Sequence, residues 1–140
     1  MSEARNKMNQ ELKAVVVPLL RERGFTGSFP HFRRRREEHI DLFTFQFSVY
    51  GGRFTIEIGQ CEPGGYTTTL GKHIPPTKVK AWDLRPDRRA RLQPGSGAAD
   101  WFRFDGSGVD VFLRVAESVV PFLDEAERMF NDFDKIYKHG

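Results

Sequence analysis

Cysteine is nearly absent from this chain: Cys61 is the only one among 140 residues. No intrachain disulfide can form, which fits a reducing compartment such as the cytoplasm. Long apolar runs are missing as well. The longest, Ala14–Leu20, holds seven residues and is interrupted by Pro18, whereas a membrane-crossing helix needs about 20. The polar stretch Met1–Gln10 argues against a secretory leader, and no Asn-x-Ser/Thr acceptor occurs. A cytoplasmic protein with no membrane partner is the expectation. Net charge is also small, with 22 basic residues against 19 acidic ones. Together with a hydrophobic fraction of 39%, that excludes a disordered chain and fits one folded domain over residues 1–140. No internal repeat or low-complexity tract is found.

The usual signatures of chemistry are lacking too. The potential metal ligands His31, His39, His73, His139 and Cys61 show no HExxH, CxxC or paired-histidine helix spacing. No metal and no cofactor are expected. Cys61 has no base fixed beside it, since the next histidine, His73, comes twelve residues later. No Gly-x-Ser-x-Gly elbow is present, and Gly95-Ser96-Gly97 and Gly106-Ser107-Gly108 lack the Lys-Ser/Thr ending of a phosphate loop. No residue is assigned as catalytic.

What the chain does have is phenylalanine, 13 in all. Met8, Leu12, Val15, Val16, Leu19 and Leu20 recur at helical spacing and predict a helix over about Glu3–Arg23, capped by Ser2, ended at Gly24 and kinked or split in its last turn and a half by Pro18. The period then changes to two. Ser28–Arg35 reads as a strand. In Ile40–Tyr50, Phe43, Phe45, Phe47 and Val49 alternate with Thr44, Gln46, Ser48 and Tyr50; in Arg53–Gln60, Phe54, Ile56 and Ile58 do the same. A two-residue turn at Gly51-Gly52 would set Val49 against Phe54, Phe47 against Ile56 and Phe45 against Ile58. A turn at Glu37-Glu38 would set Phe32 against Phe43 and Arg34 against Asp41. The Pro/Gly-rich stretch Cys61–Gly97 resists reading, though Trp82 and Leu84 suggest a short strand and Asp87–Leu92 a helical turn; Trp101–Phe104 then reads as a short strand or anchoring loop. Helices are predicted from about Val109 to Val119 and again from near Pro121, where the proline suits a first helical turn. The expected fold is α+β: an antiparallel β-sheet of three to five strands with N-terminal and C-terminal helices packed on one face. Phe43, Phe45, Phe47, Phe54, Ile56, Ile58, Phe112, Val115 and Val119 should be core.

Two surfaces are candidates for recognition. The first is the polar sheet face, with His31, Arg33, Gln46, Ser48 and Glu57 as tentative ligand-binding residues beside Thr44 and Thr55. It offers donors, acceptors and a titratable group. The second is a pair of arginine clusters, Arg33–Arg36 and Arg85–Arg91. Arg34, Arg36, Arg85, Arg88, Arg89 and Arg91 are its tentative anion-binding residues, since a guanidinium fork suits phosphate or carboxylate. Alternate arginines on a strand point to opposite faces, however, and Glu37 and Glu38 neutralise part of the first run. Charge is also uneven: residues 72–103 hold eight basic against three acidic, residues 104–140 four against eight. These two segments could attract each other within the fold.

The order of segments carries a resemblance. A helix ends in Gly24-Phe25, and a strand follows with the step Phe32-Arg33. Then come Phe45-Gln46-Phe47-Ser48, Phe54-Thr55-Ile56-Glu57-Ile58-Gly59, Asp100-Trp101-Phe102 and Pro121-Phe122-Leu123. In this course the chain resembles the bacterial family termed domain of unknown function (DUF) 4304, over most of its length except about 62–98. The resemblance implies a bacterial source and supports the fold; it implies no activity. The leading expectation is therefore a small non-enzymatic module that binds a protein partner. The alternatives are binding of nucleic acid or another polyanion by the arginine clusters, and an enzyme on the polar face using His31, Gln46 and Glu57.

Overall fold

The structure, a computed structural model, describes residues 2–95 and 101–139, those from 134 onward as backbone only. Helix α1 (Glu3–Val15) starts at Ser2, whose hydroxyl accepts from the Arg5 amide. The expected break at Pro18 is a split: the proline sits in the first turn of a new helix, α2 (Val17–Glu22), where a residue lacking an N–H is tolerated. Gly24, at φ +94°, turns the chain into the sheet. Its strands are β1 (Thr26–Ser28), β2 (His31–Arg35), β3 (Ile40–Phe47) and β4 (Arg53–Cys61). A small separate hairpin follows, β5 (Tyr66–Thr67) with β6 (His73–Ile74). Then come β7 (Arg89–Leu92), β8 (Phe102–Arg103), and helices α3 (Val111–Val119) and α4 (Phe122–His139).

The main sheet is antiparallel, with six strands in the order β1-β2-β3-β4-β7 and β8 beside β7 along β4. The fold is α+β with helices at both ends. Met8, Leu12 and Val16 of α1, Ala116 and Val119 of α3, and Leu123 and Phe130 of α4 share one core with Phe32, Phe43, Phe45, Phe54, Ile56 and Ile58. Aromatic contacts run through it: Phe25 meets Phe43 at 6.0 Å, Phe43 meets Phe45 at 5.4 Å, and Phe54 stacks on Phe102 at 5.2 Å. Phe47, Phe112 and Val115 pack at its margin.

The β2–β3 register matches the expected one, with Phe32 opposite Phe43 and Arg34 opposite Asp41. The β3–β4 register differs from the expected one by two residues: Phe47 faces Phe54, Phe45 faces Ile56 and Phe43 faces Ile58. A shift of two keeps every side chain on its own face. The cause is a longer turn. The Ser48 amide donates to the Arg53 carbonyl, and the Tyr50 amide donates to the Ser48 hydroxyl. Val49 thus leaves the strand and stands 92% exposed instead of facing Phe54. Gly51 and Gly52 both take positive φ in this turn.

The stretch 62–88 is where expectation departs most. Trp82 lies in a 3-10 turn, Ala81–Asp83, instead of a strand, and the helical turn expected over Asp87–Leu92 is a shorter one, Pro86–Arg88, followed by strand β7. Val79, Ala81 and Leu84 are buried on Ile40, Leu42 and Cys61, forming a second apolar cluster on the sheet's other face. That face is therefore covered at one end by the 79–84 segment. Gly59 makes the cover fit: a Cβ there would stand 2.6 Å from Leu84 Cδ1 and 2.9 Å from the Arg88 carbonyl oxygen.

Candidate functional site

The same sheet face carries a row of side chains across four strands. His31 lies beside Thr44, Thr44 beside Glu57, and Glu57 beside Arg91. His31 Nδ1 is 3.0 Å from Thr44 Oγ1, and its ring meets Trp82 edge-on at 4.6 Å. Burial, with repulsion from Lys80, pushes its pKa down to about 4, so the imidazole is neutral near pH 7. Thr44 is itself buried and presents no hydroxyl to solvent. Arg33 donates to the Pro76 carbonyl. Two of the five residues expected to bind a ligand here, His31 and Arg33, thus clamp the 75–82 segment to the sheet. Glu57 is 4% exposed and accepts from Arg89 Nη1 at 3.2 Å and Arg91 Nε at 3.3 Å. Gln46 lies one row on, opposite Thr55; Gln46 Oε1 and Thr55 Oγ1 are buried without a hydrogen-bond partner among the described residues. Ser48 is spent on the turn. The five residues line no single hollow.

The two arginine clusters do not meet on one surface. Arg34 and Arg36 turn to the helix side. Arg34 donates to Asp41 Oδ2 through Nε (2.9 Å) and Nη2 (2.6 Å), to Glu127 of α4, and to the Arg23 carbonyl. Burial alone would lower the Arg34 pKa, but bonds to Glu127 and Asp41 hold it above the ordinary value. Arg36 Nε lies 2.8 Å from Asp41 Oδ2, and Gln60 Nε2 donates to both Asp41 Oδ1 and the Phe130 carbonyl. Arg89 and Arg91 gather on Glu57 at the opposite edge. Asp124 and Glu127 of α4 pair with Arg23 and Arg34.

Among the described residues no group of three or more His, Cys, Asp or Glu is placed to hold a metal ion. Cys61 is buried, and burial pushes its thiol up to about 11, far from a thiolate. No described helix is long and apolar enough to cross a membrane.

A concavity of about 260 Å³ is lined by Glu57, Pro86, Arg89, Ala90 and Arg91, and two others among the described residues were not legible beforehand. One, of about 320 Å³, lies at the β3–β4 turn and is lined by Ser2, Arg5, Phe47, Ser48, Val49, Tyr50, Gly51 and Phe104. Its floor is aromatic. The Arg5 guanidinium lies 4.5 Å over the Phe47 ring, and its Nε is buried without a hydrogen-bond partner among the described residues. Tyr50, 88% exposed, stands on the rim beside Val49. The turn is held by its own bonds and by the Phe104 amide, which donates to the Gly52 carbonyl at 2.9 Å. The sequence signal was Ser48 ahead of two apolar residues and two glycines, a four-residue turn that reads equally as strand plus two-residue turn. The other concavity, about 530 Å³, lies between the β5–β6 hairpin and the 85–88 turn.

These features define a small α+β protein with an antiparallel sheet, its buried charge cluster inside and its concavities at the sheet's margins. The chain belongs to the family described as Domain of unknown function (DUF4304), whose model matches residues 16–125. No curated protein and no solved structure matches it.

Proposed function

We propose that this chain is a small non-enzymatic binding module that holds a protein partner at the β3–β4 turn. The observation that carries this reading is the pairing of an exposed, conformationally fixed Val49-Tyr50 tip with the Arg5–Phe47–Phe104 hollow. Tyrosine and arginine beside an apolar hollow are the side chains that dominate binding energy at protein interfaces. Arg5, whose Nε has no hydrogen-bond partner among the described residues, selects the partner's chemistry: an apolar side chain for the hollow with a carboxylate next to it. A bacterial cytoplasm is the setting proposed, supported by the family resemblance and by a single buried thiol.

Peptide-display selection against the protein tests this. Convergent peptides pairing an apolar residue with Asp or Glu are expected, with affinity at least about tenfold weaker for Tyr50→Ser or Arg5→Ala. Lack of convergence, or equal binding to the variants, would refute it. A second reading, polyanion binding, has one observation in its favour: Arg53 at 4.8 Å and Arg91 at 5.9 Å both lie over the Trp101 ring. Aromatic-arginine surfaces suit single-stranded nucleic acid. Retention on heparin that falls steeply with salt and weakens in Trp101→Ala would favour it.

A further inference from the structure

The polar side chains around the β3–β4 hollow are donors with no acid to receive them. Arg5 makes no ion pair among the described residues; Glu3, in the same turn of α1, pairs with Lys7 at 3.5 Å. Asp105, packed against Gly52 of the β3–β4 turn, pairs with Arg103 at 3.3 Å. The lining itself holds no acidic residue. Ser2 Oγ accepts from the Arg5 amide and Ser48 Oγ from the Tyr50 amide, both at 3.1 Å. A hydroxyl that accepts in this way keeps its own proton to give. A guanidinium with two serine hydroxyls beside it is a donor set suited to a carboxylate.

The apolar floor is built and held. The Phe47 and Phe104 rings stand 6.1 Å apart, edge to face, and the Arg5 guanidinium lies over Phe47. An arginine laid over a ring keeps its in-plane N–H groups for an acceptor. The Gly51 amide donates to the Ser48 carbonyl at 3.1 Å. Gly52, at φ +75°, sits so close to the next segment that a Cβ there would lie 2.9 Å from Asp105 Cβ. The hollow therefore receives a ligand without first ordering a loop, which lowers the cost of binding.

A volume of about 320 Å³ lies at the low end for ligand sites, roughly 300–1,000 Å³. It takes the side chain of a single residue together with a carboxylate, not two successive side chains. In an extended chain neighbouring side chains point to opposite faces, so an apolar residue and an adjacent Asp or Glu enter together only if the chain turns. The last residue of a chain carries both groups on one Cα. We infer that the partner docks by its C-terminus, an inference that rests on the docking reading proposed above. The apolar last side chain lies on Phe47 and Phe104, its α-carboxylate meets Arg5 and the serine hydroxyls, and the residues before it cross the exposed Val49-Tyr50 tip. Asp or Glu held beside an apolar residue by a turn imitates the same pair of groups.

Two libraries of short peptides tethered through their N-termini, one ending in free carboxylates and one in amides, test this against the labelled protein. Binders are expected from the free-acid library, ending in an apolar residue. For a selected peptide, amidation should weaken binding at least about tenfold, and so should one glycine added after the last residue. Arg5→Ala should weaken the acid form by as much and leave acid and amide equal. The peptide changes are read on the parent protein, so they decide the matter even where Arg5→Ala fails to fold. Acid and amide forms that bind the parent equally, with Tyr50→Ser weakening both, would overturn the C-terminal inference and leave the docking site standing. Binders in neither library would overturn both.

Discussion

Asp41 gathers more of the structure than any other single charge. It is fully buried, and Arg34, Arg36 and Gln60 converge on its two oxygens. Arg34 then reaches Glu127, so one carboxylate couples the sheet to α4. Removing it leaves a buried guanidinium short of a partner. Asp41→Ala should lower unfolding free energy by about 3–5 kcal/mol in urea titrations, the range for breaking a buried ion pair from one side. Arg35→Ala, an exposed position in the same run, should change it by no more than about 0.5 kcal/mol. Equal effects at both positions would show that the pairing is not what makes Arg34 structural. The run Arg33–Arg36 therefore divides by parity, as strand geometry requires: Arg34 and Arg36 go to the helix side, and Arg33 goes to the Pro76 carbonyl.

Gly59 shows at the level of elements how one missing Cβ admits a whole segment. β4 carries large side chains at Phe54, Ile56 and Ile58 toward the helices, but at Gly59 its other face is bare, and Leu84 and the Arg88 carbonyl occupy that space. Gly59→Ala should displace the 75–88 segment, cost about 1–3 kcal/mol in stability as overpacking does, and speed tryptic cleavage after Lys78, Lys80 and Arg88. Unchanged cleavage with an intact sheet would mean the segment adapts. The strands β2, β3 and β4 were legible because alternation over five or more residues has few competing explanations. β7 was not. Arg89-Ala90-Arg91-Leu92 alternates for only four residues, and its pairing with β4 is a non-local choice. The two-residue error in the β3–β4 turn has the same origin: alternation fixes the face, while Ser48's own hydrogen bonds fix the turn length.

Across the whole molecule, the cover over the second sheet face makes stability depend on pH through His31. Its pKa lies near 4 in the fold against an ordinary 6.5, with burial the main cause, repulsion from Lys80 and Arg33 adding to it and Asp83 opposing it. Between those values the unfolded chain binds the proton more readily than the folded one. The stabilisation is complete above about pH 6.5 and is lost as pH falls toward 4. The thermal midpoint should therefore drop over that window, and His31→Gln should remove part of the drop. An unaltered slope in the variant would assign the effect to other groups. Protease susceptibility of the 75–88 segment should rise over the same window, because His31 is among the side chains that hold it.

Composition and period by themselves determined the α+β class, the helices at both ends, the two-sided character of β3 and β4, and the location of the phenylalanines in a core. Those follow from local geometry, since side-chain periods of 2 and 3.6 are written residue by residue. The tertiary structure alone decided what covers the second sheet face, that the arginine clusters lie apart, and that Arg5, Phe47 and Tyr50 share one hollow while Arg85, Arg88 and Thr69 share another. Those contacts join residues distant in sequence, and no local period records which segments will lie together once the chain has closed its loops.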